Sequence, residues 1–265
     1  MKDSALSDQG PFLFEIRLGE QANNTGQAYN DLYTVASLSL IESYYLWLLD
    51  QLALQSGGHL LDISCGAGEL VRLAQQRGHI ATGIDISEVV ARAAHHSVPS
   101  PSRIVVGTGE KLPFPDAAFD CVTNIGSLEH FVDPAAGVRE MARVLQPGGQ
   151  ALVLVPNTFS LSTNVWNAFR KGITSVDQQP IQRYGARADW TALLAANGLR
   201  ARRVIKYERT WPRKAADWGF YLRRPKELTR LLTTPFVPLN LAFCFLFSCE
   251  HMPANKRLGA DAARP

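Results

Sequence analysis

Between residues 59 and 156 the chain alternates short apolar runs with amphipathic, capped segments, and this alternation constrains its fold more than any other feature. HLLDI (59–63), HIATGIDIS (79–87), SRIVVG (102–107), FDCVTNI (119–125) and QALVLVP (150–156) read as buried strands. Between them, GELVRLAQQRG closes on Gly78, EVVARAAHH follows a capping Ser87, and PAAGVREMARVL (134–145) opens on Pro134, so these read as helices. Strands that are continuously apolar and separated by helices pack as a mostly parallel sheet covered on both faces. In such doubly wound sheets, ligands bind outside the carboxyl ends of the strands, where the strand order switches. The loops at 64–68, 85–88, 107–114 and 124–133 therefore belong to one rim.

The flanks extend the pattern. Tyr29 to Gln55 is rich in apolar and aromatic residues at helical spacing and stops before Gly57-Gly58, which predicts one long or two shorter helices. ARADWTALLAANG (186–198) reads as a helix, LRARRVIKYERTW (199–211) as a sixth strand and LNLAFCFLFSC (239–249) as a seventh. The expected architecture is an α/β, doubly wound, mostly parallel seven-stranded sheet. An N-terminal helical lid occupies 1–56, the main domain 57–250, and a tail 251–265. Two insertions, about 157–185 and 211–238, lie over the rim, and the first shows few regular signals.

Composition excludes several function classes. Lys and Arg number 27 against 24 Asp and Glu, a net charge of +3 that is too weak to argue for a nucleic-acid partner. Cys65, Cys121, Cys244 and Cys249 have neither CxxC spacing nor a histidine at ligand spacing, so no zinc or other metal site and no disulfide framework is expected, and a reducing cytoplasm suits them. The opening residues have no uninterrupted apolar core of the secretory type. The apolar run from Pro235 to Cys249 is shorter than the roughly 20 residues that span a bilayer.

The chemistry concentrates in LLDISCGAGEL (60–70). A glycine-rich turn that opens a helix can hold a ligand on backbone N–H groups. Asp85, about 20 residues after the loop, suits a ribose diol. Asp62, immediately before it, would repel a pyrophosphate and favour a cation. The third position of a GxGxxG fingerprint is Val71, which disfavours NAD, and no GxxxxGK[ST] is present. An adenosine ligand with a positive centre and no phosphate matches S-adenosylmethionine. Ser64 and Cys65 then read as small residues on a cradle, since Cys65 has only Asp62 as a charged neighbour and no activating base.

LLDISCGAG, GIDIS, GTGEKLPFPDAAFDCV, SLEHFVDP and VREMARVLQPGGQALVLVPN, in that order, resemble the successive motifs of class I S-adenosylmethionine-dependent methyltransferases. They are most similar to the small-molecule group that includes the ubiquinone and menaquinone methyltransferases. The resemblance covers about 58–157 closely and extends loosely to 250. It implies a Rossmann-like methyltransferase fold in which Asp62, Ser64, Cys65, Gly66 and Gly68 line the methionine part of the cofactor. It further implies Asp85 on the ribose, Ile86 against the adenine, Thr108, Gly109 and Glu110 at the adenine edge, and Asn124, Ile125 and Gly126 under the methionine and sulfonium. Ser64 stands where the family usually has glycine, which costs about 1 kcal/mol or more if its φ is positive. Thr108 stands where an aspartate is frequent and offers a hydroxyl instead.

Methyl transfer to an oxygen is the expected reaction, ahead of nitrogen or carbon. An NAD-dependent oxidoreductase and a non-catalytic cofactor-binding module are the alternatives. His130, with Glu129 to orient it, follows the fourth strand and could take a proton from a hydroxyl or phenol; loop packing is the alternative role. Tyr29 and Tyr33 fit either site lining or helix packing. Trp166, Arg170, Arg183 and Tyr184 in the first insertion are candidate contacts to a small-molecule acceptor. The second insertion, 211–238, mixes Arg and Lys with Trp and Tyr, which fits a solvated amphipathic face, or contact with a membrane surface or with an anionic, lipid or carrier-linked acceptor.

Overall fold

The computed structural model describes residues 14–17, 24–35, 40–176 and 179–252. In chain order its strands are β1 Phe14–Arg17, β2 His59–Ile63, β3 Ile80–Asp85, β4 Arg103–Val106, β5 Phe119–Ile125, β6 Leu145–Pro156, β7 Ile181–Tyr184, β8 Leu199–Tyr207 and β9 Cys244–His251. The helices are α1 Thr25–Val35, α2 Glu42–Leu49, α3 Glu69–Gln76, α4 Glu88–Ser97, α5 Pro134–Val144, α6 Trp166–Lys171, α7 Arg187–Ala196, α8 Ala215–Leu222 and α9 Pro225–Thr233. Seven strands form one sheet in the order β4-β3-β2-β5-β6-β9-β8. The first five are mutually parallel, and β9 runs antiparallel between β6 and β8.

The two-residue period of the strands divides the core in two. Leu61, Ile63, Val153, Val155, Phe245 and Phe247 point to one face, where α5 and α7 contribute Val138, Met141, Trp190 and Leu194. Leu60, Cys121, Leu152, Leu154 and Leu246 point to the other, beneath Tyr44 and Leu48 of α2 and Leu70, Val71 and Ala74 of α3. This explains why the central strands read as unbroken apolar runs. The apolar C-terminal run is one of them: Phe245, Leu246 and Phe247 are fully buried. No described helix is long and apolar enough to cross a membrane.

Helix starts follow local chemistry. Ser87 Oγ accepts the N–H of Val90 at the start of α4, and Asp133 accepts that of Ala136 ahead of Pro134 in α5. The region 29–55 contains two helices. The region 157–185 is more regular than the sequence implies, with a π-helical turn at Leu161–Val165, α6, and β7 paired antiparallel to β1. Four-residue strands joined by no local turn leave no hairpin signal, so this pair is visible only in three dimensions. The second insertion contains α8 and α9. The sixth strand stops at Tyr207, and a 3₁₀ turn at Leu239–Leu241 precedes β9. The tail from 253 onward lies outside the described residues.

Candidate functional site

β2 and β3 pair in register Asp62↔Gly83 and Ile63↔Ile84, while β2 also pairs β5, so the chain leaves β2 at the point where the strand order switches. The turn after β2 is pinned on both sides. The N–H of Cys65 donates to the Ile84 carbonyl at 3.0 Å, and that of Gly66 to Asp85 Oδ2 at 2.9 Å. Ser64 has φ 60°, in the left-handed region that favours glycine. Gly68, at φ 78°, caps α3, and a Cβ there would lie 2.8 Å from Val98 Cγ2. Gly68 is not among the residues that line the cavity: it lets α3 approach α4, while Ser64, Cys65, Gly66 and Ala67 form the open side of the turn. Burial, with Asp62 and Asp85 nearby, pushes the Cys65 thiol far above its ordinary range, so it is no nucleophile at neutral pH.

Two carboxylates close the floor. Asp62 is 4% exposed, and burial pushes its pKa up to about 7; Thr123 Oγ1, donating to Oδ1 at 2.7 Å, works against that rise and Asp85 adds to it. Asp85 is 3% exposed and is also raised by burial, against N–H donors from Ser87 and Gly66, each at 2.9 Å. Among the described residues neither acid has a basic partner. This donor set tests the cofactor directly: two neighbouring buried acids welcome a cation and diol hydroxyls, and would repel a pyrophosphate. Asp62, Asp85, the 64–67 turn and Ile86 thus fit S-adenosylmethionine.

These residues line a cavity of about 1090 Å³ over the strand ends. That is at or beyond the upper end of ordinary ligand pockets, about 300–1,000 Å³, and leaves room for an acceptor beside a cofactor. Thr108, Gly109 and Glu110 lie on its wall. The Thr108 hydroxyl accepts the N–H of Glu110 at 3.2 Å, and Glu110 Oε1 accepts that of Asp133 at 2.8 Å, which ties the loop after β4 to the start of α5. A Cβ on Gly109 would lie 2.5 Å from the Phe131 ring and 2.6 Å from Ile63, so only glycine lets these loops meet. Ile125 and Gly126 reach the cavity. Asn124 does not: it is fully buried one residue deeper, because alternate residues of a strand face opposite ways.

Glu129 and His130, in a 3₁₀ turn at Leu128–His130, are both buried and both line the cavity. His130 Nδ1 lies 2.5 Å from the Ile181 carbonyl oxygen, which can only accept, so Nδ1 carries a proton and Nε2 is the basic nitrogen. Nε2 is 3.7 Å from Glu129 Oε1. Arg183 lines the cavity but is committed elsewhere: its guanidinium donates to the carbonyls of Glu129, Phe131 and Val132 and to the Glu15 carboxylate. It clamps the His130 turn to the β1–β7 pair, so its expected role as an acceptor contact is replaced by scaffolding.

Tyr29 and Tyr184 line the cavity, and Tyr29 Oη donates to Gln179 Oε1 at 3.1 Å. The Tyr33 side chain lies outside the described residues. Trp166 and Arg170 are not brought to the site. Thr163, Asn164 and Asn167 are the residues of that segment that line the cavity, whereas Trp166, 54% exposed, and Arg170 are solvent-exposed. The sequence reading missed the other half of the chamber: Tyr44 and Tyr45 of α2, Leu154, Tyr207, Arg209, Phe220, Tyr221, Arg224 and Phe243. Tyr207 and Arg209 follow the carboxyl end of a strand, a position that could have flagged them.

Residues 61–153 match the family model described as a methyltransferase domain. The chain is 37% identical over 127 residues to the 27-O-demethylrifamycin SV methyltransferase of Amycolatopsis mediterranei, covering 44% of this chain and 47% of that one. It is 29% identical over 159 residues to the ubiquinone/menaquinone biosynthesis C-methyltransferase UbiE of Hahella chejuensis, covering 57% and 62%. The chain thus spans about half to three fifths of the length of these curated relatives. Among solved structures, an S-adenosylmethionine-dependent methyltransferase from Mesorhizobium loti shares the fold with TM-score 0.61 at 18% identity, over 79% of this chain and 98% of that one.

Proposed function

We propose that this chain, whose residues 61–153 match a methyltransferase-domain model and whose sheet has the Rossmann-like methyltransferase fold, transfers a methyl group from S-adenosylmethionine to a small-molecule acceptor bound in the same cavity. The observation that carries the reading is the pair Asp62 and Asp85, both buried at the ends of adjacent parallel strands and both on the cavity wall without a basic partner among the described residues. When bound, the cofactor supplies an activated methyl group on a sulfonium. The protein's part is to orient, exclude water and manage a proton. Asp85, held by two backbone N–H groups, presents its remaining lone pairs to a ribose diol. Asp62 offers negative charge to the cationic methionine end.

The proposed acceptor atom is oxygen. His130 Nε2 is the basic nitrogen of a ring oriented by the Ile181 carbonyl, so it can take a hydroxyl proton as the methyl group arrives. Glu129, 3.7 Å away, stabilises the imidazolium that results. The 27-O relative supports oxygen; the C-methyltransferase relative favours carbon as the second reading, for which the same base would remove a proton from an acidic carbon. Carbon-13-labelled S-adenosylmethionine followed by NMR of the product distinguishes them. The methyl-transfer reading itself is tested by calorimetry with S-adenosylhomocysteine and NAD. Micromolar binding of the first and none of the second is expected, and folded protein that binds only NAD would refute it.

A further inference from the structure

The cavity does not end at the cofactor rim. Along the sheet its floor continues through Leu154 and Pro156 of β6, Cys244 of β9 and Tyr207 of β8, and it reaches Arg209, Phe220 and Arg224 at the second insertion. Tyr44 stacks with Trp47 and tilts against Tyr207 with ring centroids 5.2 Å apart, so the intervening wall is apolar and aromatic. The far end is cationic. Arg209 and Arg230 share the carboxylate of Glu227. Glu208 is used by the N–H of Phe243 and the hydroxyl of Ser162. That leaves Arg224, an exposed residue on the cavity rim whose guanidinium lies 4.3 Å over the Phe220 ring; among the described residues its side chain makes no hydrogen bond or close ion pair, and its charge reaches Glu227 only at longer range. Stacking on Phe220 restrains the group at the rim without using its N–H donors, which stay available to an anion.

We propose that Arg224, supported by Arg209, binds an anionic group of the acceptor, a carboxylate or a phosphate, at the end of the cavity opposite Asp62 and Asp85. The acceptor is then an amphipathic acid. The sheet sets the scale of the floor along which it would lie: His130 follows β5 and Arg209, the supporting arginine, follows β8, three strand spacings apart, or about 14 Å at about 4.8 Å each. An apolar body of that length joins the methyl-accepting atom to the anion. The location of that atom rests on the methyl-transfer reading, whereas the anion site stands on Arg224 and the apolar floor.

The test is calorimetry on the full chain with dodecanoate, dodecyl phosphate and dodecanol, each below its micellar concentration, together with a separate S-adenosylhomocysteine titration. At least one anion should bind about tenfold or more tightly than dodecanol, and the stronger of the two assigns carboxylate or phosphate. Arg224→Gln should remove most of that preference, Arg224→Lys should retain part of it, and both should leave S-adenosylhomocysteine affinity unchanged. Equal binding of dodecanoate, dodecyl phosphate and dodecanol, or an unchanged preference in Arg224→Gln, overturns the proposal. A parallel titration with phosphatidylglycerol vesicles gives the remaining outcome: binding to them without binding to either soluble anion would mark a lipid surface and also overturn the proposal. Loss of S-adenosylhomocysteine binding with the anion preference intact would refute the methyl-transfer reading alone.

Discussion

Replacing Asp62 with asparagine separates what this residue does for binding from what it costs in stability. An aspartate that titrates near 3.9 in the unfolded chain and at about 7 in the folded protein binds its proton more tightly when folded. The folded state is therefore favoured at low pH, and stability is lost as pH rises from about 4 through 7. A gap of about three pH units makes the penalty for the ionised form roughly 4 kcal/mol at pH 8 and between about 1 and 2 kcal/mol at pH 5. Asp62 is almost fully buried, so solvent screens little of this. Asparagine retains an oxygen for Thr123 and removes the charge, at a cost of about 1 kcal/mol for an imperfectly paired amide. Asp62→Asn should then be about 3 kcal/mol more stable than the wild type at pH 8 and close to equal at pH 5. For a chain of this size, that is a rise of roughly 6–12 °C in melting temperature at the higher pH. Circular dichroism melts of both proteins at pH 5, 6, 7 and 8 read the difference directly. The same variant should bind S-adenosylhomocysteine about tenfold more weakly, since a carboxylate kept at this expense is kept for its ligand. A stability difference that does not change between pH 5 and pH 8 would refute the reasoning.

Three further outcomes are expected. Asp85→Ala removes the acceptor for the N–H groups of Gly66 and Ser87 and should weaken S-adenosylhomocysteine binding by at least tenfold, or about 1.4 kcal/mol, in calorimetry. His130→Gln should lower the methyl-transfer rate by roughly 10²–10⁴-fold and flatten its dependence on pH, with cofactor affinity within about twofold; a normal pH-rate profile excludes the base role. Ser64→Gly relieves a left-handed serine, worth about 1–2 kcal/mol, against about 0.5–1 kcal/mol of added chain entropy. Denaturant unfolding should show a variant equal to the wild type or up to about 1.5 kcal/mol more stable, whereas Ser64→Val should lose more than about 1 kcal/mol.

The cofactor half of the site was legible because its determinants are local. Asp62 and Asp85 end strands whose apolar runs declare them, and the turn between β2 and α3 is contiguous in sequence, so a reader of 60–88 can place both acids on one rim. Even there the backbone decides details. Gly68 turns to α4 and Asn124 turns inward, because small side chains and strand ends give no sign of which neighbour they face. The acceptor half is assembled from α2, the ends of β6, β8 and β9, and the second insertion, pieces separated by up to about 200 residues, from Tyr44 to Cys244.

The sequence by itself determined the layer order, the parallel core strands, the burial of the C-terminal run and the acidic, phosphate-excluding character of the turn, since each depends on periodicity or on charge within a few residues. Only the tertiary structure decided that Ser64 is left-handed, that Arg183 clamps the His130 turn, that Trp166 and Arg170 stay off the cavity wall, and that the Arg224 guanidinium stacks on Phe220 at the far rim. Those are properties of contacts between distant segments. Side-chain direction and partner choice there are set by packing across the sheet, and no local pattern encodes them.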